Sequence, residues 1–479
     1  DASKITFNTS NKGSEAYITA NTISTRGESD LYLNDDITLS SSSIDLSGVN
    51  LASHYDSSHA TGETGYSLTL NSNGANGLFK LNNLSDSDNI DTNDELTQIE
   101  GLIIEGSADN TSNVFISGEL TAEQFMVNTA NTGTVEMTLT DNFALNSVNE
   151  FDTKNVSING NYNLDINGSN SADSIANIGS ISNSSSLTGF SVEEFNKIYL
   201  HDDIKVSTGN ISLSATDIFI DKSQSLNTDE ALTIESTGNG TISLTGHTQT
   251  DSDTPSSLTI ATFNGDIAVE QVTGLENFSI TKSLTTEGEI SLQGDINVNQ
   301  HIALNDLGDI NIGNDITFTA NSFDSTQSHL VNPSHNLSIV TFDHANLGSI
   351  SAQNISVTNK TDLAPDTLTL SNLYGDITAT DSLSFIGTSI NLESNLTLSG
   401  EISFLDIAST DTKNKPTING PYSLYLNATN ENIYVYDFGN TTSLNSLSIE
   451  GAGNIFFTNT PNIQGSGGLS LLGQLELNL

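Results

Sequence analysis

Cysteine is absent from all 479 positions. Disulfides, thiolate metal sites and a cysteine nucleophile are therefore excluded, and stability has to come from packing and backbone pairing. A chain without thiols also suits passage across membranes in an unfolded state, where stray disulfides would obstruct it. Tryptophan is absent too, aromatic residues make up 6% and hydrophobic residues 35%. Large core-building side chains are thus in short supply, and any core has to be thin and repetitive. No apolar run approaches the roughly 20 residues of a membrane-spanning helix, so no membrane insertion is expected. Cations are scarce: 12 Lys and Arg stand against 59 Asp and Glu, for a net charge of -47. Nucleic acid is disfavoured as a partner, because neutralising phosphates requires clustered cations. Anionic membrane surfaces are disfavoured by the same sign. No charged-then-apolar leader is present at Asp1, and Leu475, Leu477 and Leu479 still alternate, so both ends read as cuts through a longer pattern.

Low hydrophobicity with high net charge is the composition of disorder. Periodicity argues against it. A triplet, apolar-x-apolar, recurs throughout. One stretch runs Ile198-Tyr199-Leu200, Ile204-Lys205-Val206, Ile211-Ser212-Leu213 and Ile218-Phe219-Ile220, and further triplets begin at Ile290, Ile296, Ile302, Ile310 and Ile316. Alternation over three to five residues describes a short strand with one buried face. The gaps are too short for the helical crossovers of an α/β sheet. Hairpin dipeptides such as Asn159-Gly160 and Asn264-Gly265 do not separate every pair of triplets. Glycine instead precedes a polar residue and the next strand, as in Gly209-Asn210-Ile211, Gly240-Thr241-Ile242, Gly265-Asp266-Ile267, Gly288-Glu289-Ile290, Gly308-Asp309-Ile310 and Gly375-Asp376-Ile377. A glycine there can take the left-handed conformation of a tight corner. Three such strands make a triangular turn of about 20 residues, which predicts an all-β fold, a right-handed parallel β-helix (β-solenoid) of roughly 24 coils.

A longer period overlies this one. Tyr66-Ser67-Leu68-Thr69-Leu70 returns as Tyr162-Asn163-Leu164-Asp165-Ile166, Ser256-Ser257-Leu258-Thr259-Ile260, His335-Asn336-Leu337-Ser338-Ile339 and Tyr422-Ser423-Leu424-Tyr425-Leu426. Pro255, Pro333 and Pro421 stand just before three of these, where a missing amide donor is tolerated. Divergent modules of 80 to 96 residues, each about four coils, within one continuous solenoid over 1–479, account for the spacing. Polar stretches without triplets, Ser53 to Thr64, Ser85 to Asp94, Gln249 to Pro255 and Ser322 to His335, read as loops at the corners.

Phrases such as Thr417-Ile418-Asn419-Gly420-Pro421-Tyr422-Ser423-Leu424-Tyr425-Leu426-Asn427, followed by Thr441-Thr442-Ser443-Leu444-Asn445-Ser446-Leu447-Ser448-Ile449, resemble the repeats of large filamentous-haemagglutinin-like bacterial exoproteins. The resemblance implies a right-handed parallel β-helix, export from a Gram-negative cell, and a secreted, cell-surface role in adhesion or in an extracellular filament or biofilm matrix. Its partners would be other copies of the chain or cell-surface and matrix polysaccharide. The amino-terminal secretion region of that family has no counterpart here; the nearest fragment, Asn332-Pro333-Ser334, lies mid-chain.

Catalysis finds little footing. Polysaccharide-cleaving β-helices use clustered acids beside a basic residue, whereas the single arginine, Arg26, has no evident acidic constellation. The alternative of a polysaccharide-binding or polysaccharide-degrading enzyme is kept beside the non-catalytic reading. The pairs Asp35-Asp36 and Asp202-Asp203 follow matching triplets, which favours a corner role over acid and base work. Asp86, Asp88, Asp91, Asp94 and Glu95 gather hard oxygen ligands of the type Ca²⁺ favours, but Ile90 breaks EF-hand spacing, and a solvated acidic loop is the favoured reading. His54, Asp56 and His59 make a thin transition-metal set. Tyr66, Tyr162 and Tyr422 could stack on sugar rings, but their fixed repeat position favours packing. No cofactor is required by any of these patterns. Ice binding by a Thr-x-Thr face is a third reading, weakened because such units are scattered.

Overall fold

Two apolar side chains per triplet point the same way, so each strand can bury only a narrow face and needs neighbours above and below to close a core. In the computed structural model the triplets do this as stacked coils of a parallel β-solenoid. The structure describes residues 4–477 except 8–15, 26–28, 55–65, 74–75, 87–95, 98, 130–132, 182–186, 222–230, 251–254, 284–287, 361–368, 387, 406–416, 429–432, 436, 440 and 458–460. No helix occurs among the described residues. Among the described residues pairing is parallel apart from a two-residue antiparallel contact of Leu96 and Thr97 with His54 and Ser53. The chain divides into two units, 1–251 and 252–479.

Within the first unit one face stacks Leu68, Leu102, Phe125, Phe151, Ala176, Ile198 and Ile218 in register. All seven are buried. The Phe125 and Phe151 rings are stacked at 5.6 Å between centroids, and Phe125 lies 5.8 Å from Phe143 on a neighbouring face. In the second unit Leu258, Phe278, Ile302, Phe323 and Ala345 form an equivalent ladder. The triplets from Ile198 to Ile220 bury their outer members as the alternation predicts.

Coil length is less regular than the triplets suggest. Phe190 pairs with Ile211, 21 positions on, whereas Leu68 pairs with Leu102, 34 positions on. The coils are consequently fewer than the roughly 24 expected from a uniform repeat. One of the proposed loops is also not a loop. Residues 322–335 run through two faces, as the end of strand Ile316–Asp324 and the start of strand Ser328–Leu347. Phe323, Ser325, Ser328, Leu330 and Asn332 are buried there, and the triplet signal is lost because serine and asparagine hold inward corner positions.

Glycine serves the corners in two ways. Gly288 and Gly308 adopt the expected left-handed conformation, with φ 79° and 73°. Gly209 and Gly240 do not, and are required by close approach: a Cβ at Gly209 would lie 1.7 Å from the Thr188 carbonyl oxygen, and one at Gly240 1.8 Å from that of Gly209.

The longer sequence module is not a whole number of coils. From Leu68 the ladder climbs through Leu102 and Phe125 to Phe151, and the chain then passes Ile158 on the next face before reaching Leu164 on the third. From Leu258 it climbs to Phe278, Ile302 and Phe323, then passes Leu330 to reach Leu337. From Leu337 it climbs to Ile355, Leu383 and Ile402, then passes Ile418 to reach Leu424. Each of these three steps is three turns and two faces, a little short of the four coils expected. Leu258, Leu337 and Leu424 therefore occupy the three different faces of the second unit.

Truncating Phe125 to Ala should lower stability by about 3–5 kcal/mol in urea denaturation, the cost of a cavity in a close-packed core. Phe263→Ala, at a position 44% exposed, should change it by about 0.5 kcal/mol or less.

Candidate functional site

The acidic residues have a recurrent position. An Asp or Asn standing immediately before a strand turns its side-chain oxygen upward and accepts a backbone N–H from the next coil. Asp36 accepts from Ser67 (2.9 Å), Asp203 from Thr233 (2.7 Å), Asp266 from Glu289 (2.6 Å) and Asp295 from Thr317 (2.7 Å). Asp315 accepts from Asn336 (2.8 Å), Asp376 from Thr397 (2.6 Å), Asn210 from Thr241 (3.0 Å) and Asn395 from Ser423 (2.8 Å). Each hook satisfies an amide that the corner would otherwise leave unpaired. Asp35-Asp36 and Asp202-Asp203 belong to this set: Asp35 and Asp202 each receive the N–H of the following Asp, which reaches the coil above. Their role is that of corner residues.

Acids on the outer strand surfaces are interleaved with amides and cations. Asn50 donates to Asp30 (2.8 Å), Asn146 to Glu119 (2.8 Å) and Asn336 to Asp315 (2.9 Å). Lys80 stacks on Asp45 and Glu235 on Lys205. In the described register no carboxylate pairs directly with another. At the edge of a face, buried His201 has its Nδ1 3.0 Å from Asp221, with Lys154 on the same carboxylate at 3.8 Å. Burial first, and then the Lys154 charge, hold the His201 pKa below the usual histidine range.

The sequence candidates distribute differently. Of the acidic run proposed for calcium, only the backbone of Asp86 is described, paired with Leu51; Asp88, Asp91, Asp94 and Glu95 lie outside the described residues. Arg26, Asp56 and His59 lie outside them as well, and His54 is described only in its backbone. Among the described residues no three His, Asp or Glu side chains are grouped to hold a metal. Tyr66, Tyr162 and Tyr422 each offer their backbone carbonyl to the next coil, at Glu100, Thr188 and Asn445. Tyr162 is 36% exposed.

Two grooves open on the second unit. The first, about 380 Å³, follows a corner where Asp315, Asn336, Asn354 and Ser382 are linked in a chain of hydrogen bonds. Ser338, Ser356 and Ser384 form the hydroxyl ladder along its floor. The second, about 280 Å³, crosses a corner lined by Asp309, Gln327, His329, Ser349 and Tyr374 and floored by Gly308, Gly348 and Gly375. His329 is held between Asp309 (3.1 Å) below and Ser351 (3.0 Å) above. Neither lining contains three acids beside a lysine, the arrangement polysaccharide cleavage would call for. The motifs Gly308-Asp309-Ile310 and Gly375-Asp376-Ile377 mark this corner in the sequence, but His329 and Tyr374 carried no signal, because only the register brings them together.

No family model, curated protein or solved structure matches the chain. What the fold establishes is a repetitive parallel β-helix protein.

The Asp315 hook makes stability pH-dependent. Hydrogen bonds from the Asn336 backbone, and then from its side chain, hold the Asp315 carboxyl below the usual range. A folded-state pKa below the unfolded one stabilises above the unfolded value and is lost as pH falls through the folded one, so stability should drop below about pH 4. Asp315→Asn keeps an acceptor oxygen and loses the titration. It should narrow the difference in melting midpoint between neutral pH and about pH 3, and an unchanged difference would count against the hook.

Proposed function

We propose that this chain is an extracellular structural and adhesive protein, the repetitive shaft of a filamentous-haemagglutinin-like bacterial surface adhesin or a subunit of an extracellular filament or biofilm matrix. The observation that carries the reading is where the chemistry-bearing side chains go. Asp36, Asp203, Asp266, Asp295, Asp315 and Asp376 are spent on joining one coil to the next. A protein whose acids close its own corners is built to persist as a scaffold, and stacked coils give stiffness from nearest-neighbour contacts. The repeat phrases around Tyr422 and Leu444 support the family. Secretion to the surface of a Gram-negative cell follows from that likeness, and the absence of cysteine is consistent with it.

Contacts with cell-surface polysaccharide or with further copies of the chain would be individually weak and made firm by number. The acidic surface keeps such a chain dispersed and repels anionic polymers. The competing reading, a polysaccharide-degrading enzyme, is favoured by no specific observation.

Two measurements separate these readings. Beads coated with the purified chain should adhere to cells or to matrix polysaccharide, and the chain should release no new reducing ends from polysaccharide on prolonged incubation. Reducing-end release together with absent adhesion would overturn the proposal.

A further inference from the structure

The corner groove of the second unit has the chemistry of a sugar site. Tyr374 is 38% exposed and lines the groove among polar and glycine residues. Its backbone is pinned on both sides: its N–H donates to the Leu347 carbonyl (2.8 Å), and its own carbonyl accepts from the Ser394 hydroxyl (2.9 Å). Opposite it, the His329 imidazole is fixed by Asp309 and Ser351. The floor between them is glycine, and a Cβ at Gly375 would lie 2.4 Å from the Ser349 hydroxyl oxygen. Gln327, which also lines the groove, holds a left-handed backbone (φ 61°) that side chains seldom adopt.

We propose that this groove binds an uncharged, extended glycan, with one pyranose ring stacked on Tyr374 and ring hydroxyls bonded to Asp309 and Ser349, while His329, whose two ring nitrogens bond Asp309 and Ser351, forms the wall between them. The inference rests on the adhesive reading and gives it a specific contact. Asp309, His329 and Ser349 are successive register partners, and Tyr374 stands one coil further. The groove therefore runs along the coil axis, where successive rungs are about 4.8 Å apart, a spacing comparable to the length of one sugar in an extended chain. The sign of charge selects a neutral ligand. No lysine or arginine lines the groove, Asp309 does, and the carboxylates of Glu393 and Asp324 act on Tyr374. A peptide is a poorer fit, since peptide recognition uses an open sheet edge or apolar side-chain pockets. Here the strands are paired above and below, and the lining is polar.

The test is isothermal calorimetry on the whole chain with cellohexaose, mannohexaose and hexagalacturonate. At least one neutral hexamer should bind and the uronate should not. Tyr374→Ala should weaken binding by about tenfold and Tyr374→Phe by no more than about threefold, the pattern of ring stacking. Far-UV circular dichroism and the melting midpoint of each variant establish that the coils remain intact. Preference for the uronate, absence of binding to both neutral hexamers, or equal binding by Tyr374→Ala would each overturn the assignment. Coated beads that adhere to cells equally well with Tyr374→Ala would leave the adhesive reading standing while removing this site from it.

Discussion

Every rung of this molecule depends on one constraint, the parallel backbone ladder that sets each residue above a defined partner in the coil below. A strand of three residues is too short to hold itself in any sheet, and its two buried side chains are too few for a core. Stacking solves both problems together, because each coil pairs its amides with the next and lays its aliphatic side chains on those beneath. Phe125 on Phe151, or Leu258 beneath Phe278, are the local form of that rule. Bulk is limited by the triangle's width, which is why a chain with 6% aromatic residues can fill it.

Much of this was legible in the sequence because the ladder writes itself into a period of two. Ile198 to Ile220 could be placed on strands and faces from alternation alone. The failures lie where corner packing replaces alternation. Ser325, Ser328 and Asn332 are buried through hydrogen bonds that a hydropathy pattern does not record: the Ser328 hydroxyl accepts from the Leu307 amide (2.9 Å) and donates to the Leu304 carbonyl (2.6 Å). Gly209 and Gly240 were recognisable as corner residues, but the reason for them, a carbonyl of the preceding coil in the way of a Cβ, depends on register. The Tyr374 groove was invisible for the same cause, since Asp309, His329 and Tyr374 are neighbours only once the coils are stacked.

The module length adds a geometric consequence. A duplication of four whole coils would repeat each surface feature on one face, and a ligand site would recur as a straight row. Three turns and two faces instead move the repeated motif to a new face at each step, as with Leu258, Leu337 and Leu424. Sequence similarity between modules therefore does not imply a common exposed surface. The core tolerates this shift because all three faces make the same demand, an aliphatic pair pointing inward, whereas surface features are free to diverge.

The charge of the chain poses the opposite problem, because a ladder that superposes like residues would also superpose like charges. Carboxylates directly opposite one another are destabilising, and -47 leaves few cations to intervene. Asparagine resolves the conflict. Its amide donates to the acid on one side, as Asn50 does to Asp30, while its carbonyl accepts from the other, as it does from Ser85. The same logic continues above Asp324 in Asn346, Asn372 and Asn391, where Asn372 donates to Asn346 and Asn391 to Asn372. Further acids stand at the corners, where the carboxylate accepts a backbone N–H of the next coil. The composition that first suggested disorder is thus the composition a ladder requires: amides and small hydroxyls to separate the acids, and acids to close the turns.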